Sequence, residues 1–99
     1  AAQMERREVV KITDAHPGLD QADAYAIQYA IRARRLGRGH RIAGLKMGLT
    51  SRAKMKQMGV PAPIYGFMTE DFALAPGAEV SAGRYIHPRV EPEIAFVTK

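Results

Sequence analysis

Ninety-nine residues, 46% of them hydrophobic and 25% charged, make one small domain or part of a larger one, with an ordinary globular composition. The absence of cysteine excludes disulfides and thiolate metal sites. No apolar run approaches the roughly 20 residues of a membrane span, and Ala1-Ala2-Gln3-Met4-Glu5-Arg6 lacks the apolar core of a signal peptide, so no membrane association is expected and the cytoplasm is the default compartment.

In chain order, Glu5 to Ile12 reads as a short helix ended by Asp14-Ala15-His16-Pro17-Gly18, where proline and glycine force a turn. Asp20 is a good N-cap, with Asp23 as an acidic first-turn residue. Ala24, Ile27, Ala30, Ile31 and the stem of Arg34 then recur at helical spacing as the expected packing face. Tyr25 and Tyr29 form an adjacent stripe that reads as packing, and Gly37 and Gly39 stop the helix. The net charge of +5 owes most to Arg32, Arg34, Arg35, Arg38, His40 and Arg41 around this helix end. Cations there complement the helix dipole, and no aromatic residues interleave with them as stacking platforms, so nucleic acid is not an expected partner.

Arg41 to Leu49 is apolar with two glycines and suits a buried strand. Thr50 or Ser51 can cap a short helix through Lys54, Met55 and Gln57 to Met58, which Gly59 ends. Val60-Pro61-Ala62-Pro63 is a stiff loop, Ile64 to Leu74 is extended or irregular, and Pro76-Gly77 turns. Tyr85 to Thr98 is the best strand candidate. The expected class is α+β, with a helical N-terminal arm over residues 1–38 and β-rich structure over residues 39–99. The chain opens without Met and stops as an apolar stretch finishes, so we expect the N-terminal portion of a longer protein.

Chemistry concentrates in few places. Glu91 and Glu93 would share one face of an extended backbone, because residues i and i+2 point the same way. Two adjacent anions on an apolar strand either lie on a solvated edge, as Pro92 suggests, or share a hard divalent ion such as Mg²⁺ or Mn²⁺. Lys46 lies between Gly44 and Gly48 in an apolar strand, where a lysine either snorkels to the surface or meets an anion. Gly48-Leu49-Thr50-Ser51 is either an ordinary helix cap or a modest anion site built from backbone N–H groups. His87 near a strand start reads as structural, and His16 and His40 as solvated. Glu70 and Asp71, as i and i+1 neighbours, would point to opposite faces and not share a metal.

Taken in register, Gly44-Leu45-Lys46-Met47-Gly48-Leu49-Thr50-Ser51, Met58-Gly59-Val60, Pro63-Ile64-Tyr65-Gly66-Phe67 and Ile86-His87-Pro88-Arg89-Val90-Glu91-Pro92-Glu93-Ile94-Ala95 resemble the hydratase/decarboxylase branch of the fumarylacetoacetate hydrolase family. The resemblance runs from about Asp20 to Lys99. It implies the start of a mixed β-sheet, β-roll domain, truncated at the C-terminus. It implies Glu91 and Glu93 as two of three acidic ligands to Mg²⁺ or Mn²⁺, Lys46 as the active-site lysine, and Gly48, Leu49 and Thr50 as substrate-binding residues.

The substrate implied is a small 2-oxo acid from the meta-cleavage degradation of aromatic compounds. Hydratases of the branch usually carry an aspartate where this chain has Ile64, and isoleucine moves no protons. The expected reaction is therefore decarboxylation of 2-oxohex-3-enedioate to 2-hydroxypenta-2,4-dienoate, with hydration of 2-oxopent-4-enoate as the alternative. A third expectation, from another class, is a non-catalytic partner subunit of the hydratase. A homo-oligomer, or a complex with that hydratase, would fit the branch, and a fragment of this length is expected to be inactive alone.

Overall fold

The longest element owes its start to one side chain. In the computed structural model, which describes residues 4–99, Asp20 holds an extended backbone and its carboxylate accepts the Asp23 N–H at 2.9 Å. Asp23 returns the contact, its carboxylate accepting the Asp20 N–H at 3.2 Å. This reciprocal box satisfies two N–H groups that a helix start leaves unpaired. Helix α2 (Gln21–Gly37) runs from there, preceded by a single turn, α1 (Ile12–Ala15).

Strand β1 (Ile42–Gly48) follows, then α3 (Arg52–Met58) and β2 (Ile64–Thr69). Ser51 caps α3, its hydroxyl accepting the Lys54 N–H at 3.2 Å. Gly59 ends it in the left-handed region at φ 68°, and the Val60 N–H reaches back to the Met55 carbonyl at 3.0 Å. Glycine occupies that conformation without the Cβ clash other residues meet. The strands pair antiparallel, with Lys46 opposite Gly66, Met47 opposite Tyr65 and Gly48 opposite Ile64, and the register shifts between Ile42 and Gly44. A short 3-10 turn, Glu70–Phe72, closes this part of the chain.

The described residues fall into two units. Gly18–Pro76 holds α2, the β1–β2 ribbon and α3; the other joins the segment before Gly18 to Gly77–Lys99. In the first, α2 lies along β2: the Tyr25 hydroxyl accepts the Tyr65 backbone N–H at 3.3 Å, and the two rings stack at 4.7 Å. In the second, Arg6 donates to the Gly83 carbonyl at 2.5 Å, Glu8 pairs with His87, and a 3-10 turn forms over Ala82–Arg84.

The α+β class stands, and four local expectations change. The helix expected over Glu5 to Ile12 does not form, since Arg6 adopts φ 52° and Val9-Val10 is β-branched; a single turn at Ile12–Ala15 lies instead where that helix was expected to end. The stretch Tyr85 to Thr98 forms no strand. A strand is held by a neighbour's N–H and C=O groups, and Pro88 and Pro92 each remove a donor. Val90 and Val97 are each 97% exposed.

Strand β1, expected to be buried, is largely open, with Leu45 66% exposed. Finally, α2 turns Tyr25, Gln28, Arg32 and Arg35 inward to half-burial, leaving the predicted packing residues Ile27 and Ile31 exposed. The tyrosine and arginine contacts to β2 and the turn after it outweigh what the isoleucines would gain on so narrow a ribbon. Among the described residues no hydrophobic side chain is fully buried, and no helix is long and apolar enough to cross a membrane. Residues 1–3 of the expected arm lie outside the described part.

Candidate functional site

Lys46 stands in the middle of β1 because its neighbours permit a tight ribbon. Its cross-strand partner is Gly66, so no side chain opposes it on that face. A Cβ at Gly44 would meet nothing within 4 Å, whereas one at Gly48 would come within 3.2 Å of the Ile64 side chain. Gly48 therefore admits Ile64, and Gly44 leaves room. Around Lys46 a cleft of about 330 Å³ is lined by both strands and by Gln28 of α2. That volume is at the small end of the range for sites that hold small molecules.

Gly48 lines the cleft together with Lys46. Leu49 and Thr50 carry the chain from β1 into α3, and Leu49 sits at φ 55°. That conformation is rare for a residue with a branched side chain and stores local strain, a condition found at ligand-holding turns. Ser51, not Thr50, caps the helix.

Tyr65 on β2 is held by two residues of α2. Its hydroxyl shares a 2.6 Å hydrogen bond with the Tyr29 hydroxyl, and Tyr25 stacks on its ring. The Tyr29 bond, with burial and the neighbouring phenols, raises the Tyr65 hydroxyl above its usual range. The phenol therefore stays protonated at neutral pH. The sequence showed the Tyr25/Tyr29 stripe but not its partner. Helical spacing identifies which residues share a face, and only the packing of α2 on β2 selects what they touch.

A second polar cluster was missed. Thr69, the one fully buried described side chain, accepts from Arg35 at 3.1 Å. Arg35 also reaches Asp71 at 3.3 Å and lies 4.7 Å over the Phe72 ring. His40, expected to be solvated, pairs with Asp71 at 3.2 Å. The Thr69 hydroxyl, with His40 and Arg35, holds the Asp71 carboxyl below the usual range. Glu70 faces Arg41 at 3.6 Å, so the two neighbouring acids go to different cations. This cluster ties the helix end to the turn after β2.

Glu91 and Glu93 belong to the other unit, exposed in a segment without regular structure. As donors they are hard oxygens, the type that Mg²⁺ and Ca²⁺ prefer. Among the described residues no group of three or more His, Asp or Glu side chains is placed to hold a metal ion. In chemistry the pair fits a hard cation.

No family model matches the chain. Individual relatives do. It is 48% identical over 98 residues to a 4-oxalocrotonate decarboxylase of Pseudomonas sp. strain CF600, covering 99% of this chain and 37% of that one. It is 39% identical over 97 residues to 2-keto-4-pentenoate hydratase 1 of Dechloromonas aromatica strain RCB, covering 98% of this chain and 37% of the relative. The solved structure of 4-oxalocrotonate decarboxylase from Pseudomonas putida G7, complexed with magnesium and adipate, aligns with TM-score 0.69 at 51% identity. That alignment covers 72% of this chain and 27% of the solved one. The chain spans little more than a third of the length of the curated relatives it matches. Over nearly all its residues the chain is thus similar to 4-oxalocrotonate decarboxylases and to 2-keto-4-pentenoate hydratases.

Proposed function

We propose that the full-length protein decarboxylates 4-oxalocrotonate (2-oxohex-3-enedioate) to 2-hydroxypenta-2,4-dienoate. One observation carries the choice: Ile64, at the position where hydratases of the branch usually carry an aspartate, lines the Lys46 cleft. Adding water across a double bond needs a side chain that gives and takes protons, and decarboxylation needs only somewhere for electrons to go. The distal carboxylate of this substrate is that of a vinylogous β-keto acid. When its C–C bond breaks, the electron pair runs through the conjugated double bond onto the keto oxygen, and CO₂ leaves.

Lys46 binds anionic oxygen of the substrate and meets the charge that develops there. Gly48, Leu49 and Thr50 hold a carboxylate through backbone N–H groups at the strained turn. Glu91 and Glu93 are the residues that would hold a divalent ion, Mg²⁺ or Mn²⁺, and such an ion supplies Lewis-acid chemistry when bound. The higher identity to the decarboxylase than to the hydratase, 48% against 39%, supports the same reading. A homo-oligomer, and association with a hydratase that uses the product, complete the proposal.

The test is incubation of the full-length protein with 2-oxohex-3-enedioate and Mg²⁺. Stoichiometric CO₂ release with formation of the dienoate is expected. Hydration of the dienoate without CO₂ release from the dicarboxylate would assign the hydratase reaction instead. Capture of a hydratase by a protein that neither turns over substrate nor binds metal would make it a partner subunit.

A further inference from the structure

Gln28 is a polar residue on the half-buried face of α2, and it lines the cleft that contains Lys46. A Cβ built at Gly66 would stand 3.7 Å from the Gln28 side-chain oxygen. Gly66 is the cross-strand partner of Lys46, and such partners share a face of the ribbon. The amide of Gln28 is thus delivered over the face that carries the cation, and glycine's missing side chain leaves the approach open.

That delivery is rigid. Tyr25, three residues before Gln28, stacks on Tyr65 and accepts its backbone N–H at 3.3 Å. Tyr29, one residue after, bonds the Tyr65 hydroxyl at 2.6 Å. The helical turn carrying Gln28 is pinned to β2 on both sides, as a site-forming side chain requires. Its amide takes no hydrogen bond with any described residue, so its two N–H donors remain to be used.

We infer that Gln28 is a substrate-binding residue, donating an amide N–H to a carboxylate oxygen of the dicarboxylate that Lys46 attracts. The inference rests on the decarboxylase reading of the cleft and adds to it a neutral donor from the helical arm. An ammonium attracts any anion without directing it. An amide beside it fixes orientation, because its donors are planar and short-ranged. Gln28 thereby presents the substrate in the pose from which the distal carboxylate leaves.

The experiment uses the full-length protein, with steady-state turnover of 2-oxohex-3-enedioate and calorimetric binding of adipate as a non-reacting dicarboxylate probe. Gln28→Met keeps volume and helix propensity and removes both donors. It is expected to raise KM and the adipate Kd about tenfold while kcat changes less than about threefold, the scale of one hydrogen bond to a charged group. Gln28→Glu places a further anion beside a dianion and should weaken adipate more, with the excess shrinking as salt rises. Both variants should retain the wild-type thermal midpoint. If either does not, adipate binding by Gln28→Asn, which keeps the amide but withdraws it, decides by the same criterion.

Wild-type KM and adipate Kd in Gln28→Met, with Lys46→Ala impaired, would remove Gln28 and leave the reading of the cleft intact. Wild-type adipate binding in Lys46→Ala as well would remove both.

Discussion

The two halves of the apolar sequence behave differently. Between Gly18 and Pro76, local signals became elements: the Asp20 box, the Ser51 cap and the Gly59 stop mark where helices begin and end. Between Gly77 and Lys99 the best strand candidate, Tyr85 to Thr98, forms no strand. A cap is a contact between residues three apart and forms wherever its sequence occurs. A strand pattern states which face is apolar and leaves the pairing to a neighbour distant in sequence. The residues expected to do chemistry divide along the same line, Lys46 on a formed strand, Glu91 and Glu93 on an unformed one.

The largest expected effect tests that division. Lys46→Ala in the full-length protein should lower kcat by about two to three orders of magnitude, the scale of losing one charge-stabilising group. Glu93→Gln should also lower it by orders of magnitude, on the order expected for loss of a metal ligand, and unlike Lys46→Ala it should be partly restored by excess Mg²⁺. Rapid-quench or steady-state assays across a Mg²⁺ series separate the two. Near-normal turnover in either variant removes that residue from the mechanism.

Next come the signals that made the first region legible. Asp20→Ala removes the N-cap and breaks the reciprocal box, and should destabilise the protein by about 1 kcal/mol, read as a lowered urea midpoint. Gly59→Ala should cost about 1 kcal/mol as well. A Cβ there meets nothing within 4 Å, so the loss comes from the left-handed backbone alone. A larger loss would show that the α3 stop also carries packing.

The smallest effect is electrostatic. The Asp71 carboxyl lies below its ordinary value, chiefly through the Thr69 hydroxyl, then through His40 and Arg35. A depressed folded-state pKa adds stability above the unfolded value of about 3.9, and that stability is lost as pH falls through the folded value. Asp71→Asn should therefore flatten the acid end of a stability–pH curve, measured by urea midpoints from pH 6 downward. An unchanged acid limb would show that the cluster adds nothing measurable.

Gln28 and Tyr65 show where reading the sequence ran out. Tyr25 and Tyr29 were visible as a stripe, but Ile27 and Ile31 on the neighbouring face outscored them in hydrophobicity. The helix turned the other way because β2 offered an unpaired backbone N–H and a phenol, which the pattern on α2 alone does not encode. His40, in a turn, reads as solvated, and its partner Asp71 lies across the ribbon, beyond the reach of local sequence. Ile64, by contrast, was legible: its residue type alone argued against proton transfer, and the cleft places it beside Gly48.

By itself the sequence determined the limits of α2 and α3, the β-character around Lys46, the likeness to the decarboxylase branch and the residues that carry it. All of these depend on residue identity and short-range contacts. Only the tertiary structure decided which face of α2 turns inward, which polar groups meet around Thr69, and that Gln28 joins Lys46 in one cleft. Those outcomes depend on elements distant in the chain, because a side chain's partner is chosen by what packs against it and its own neighbours in sequence do not specify that.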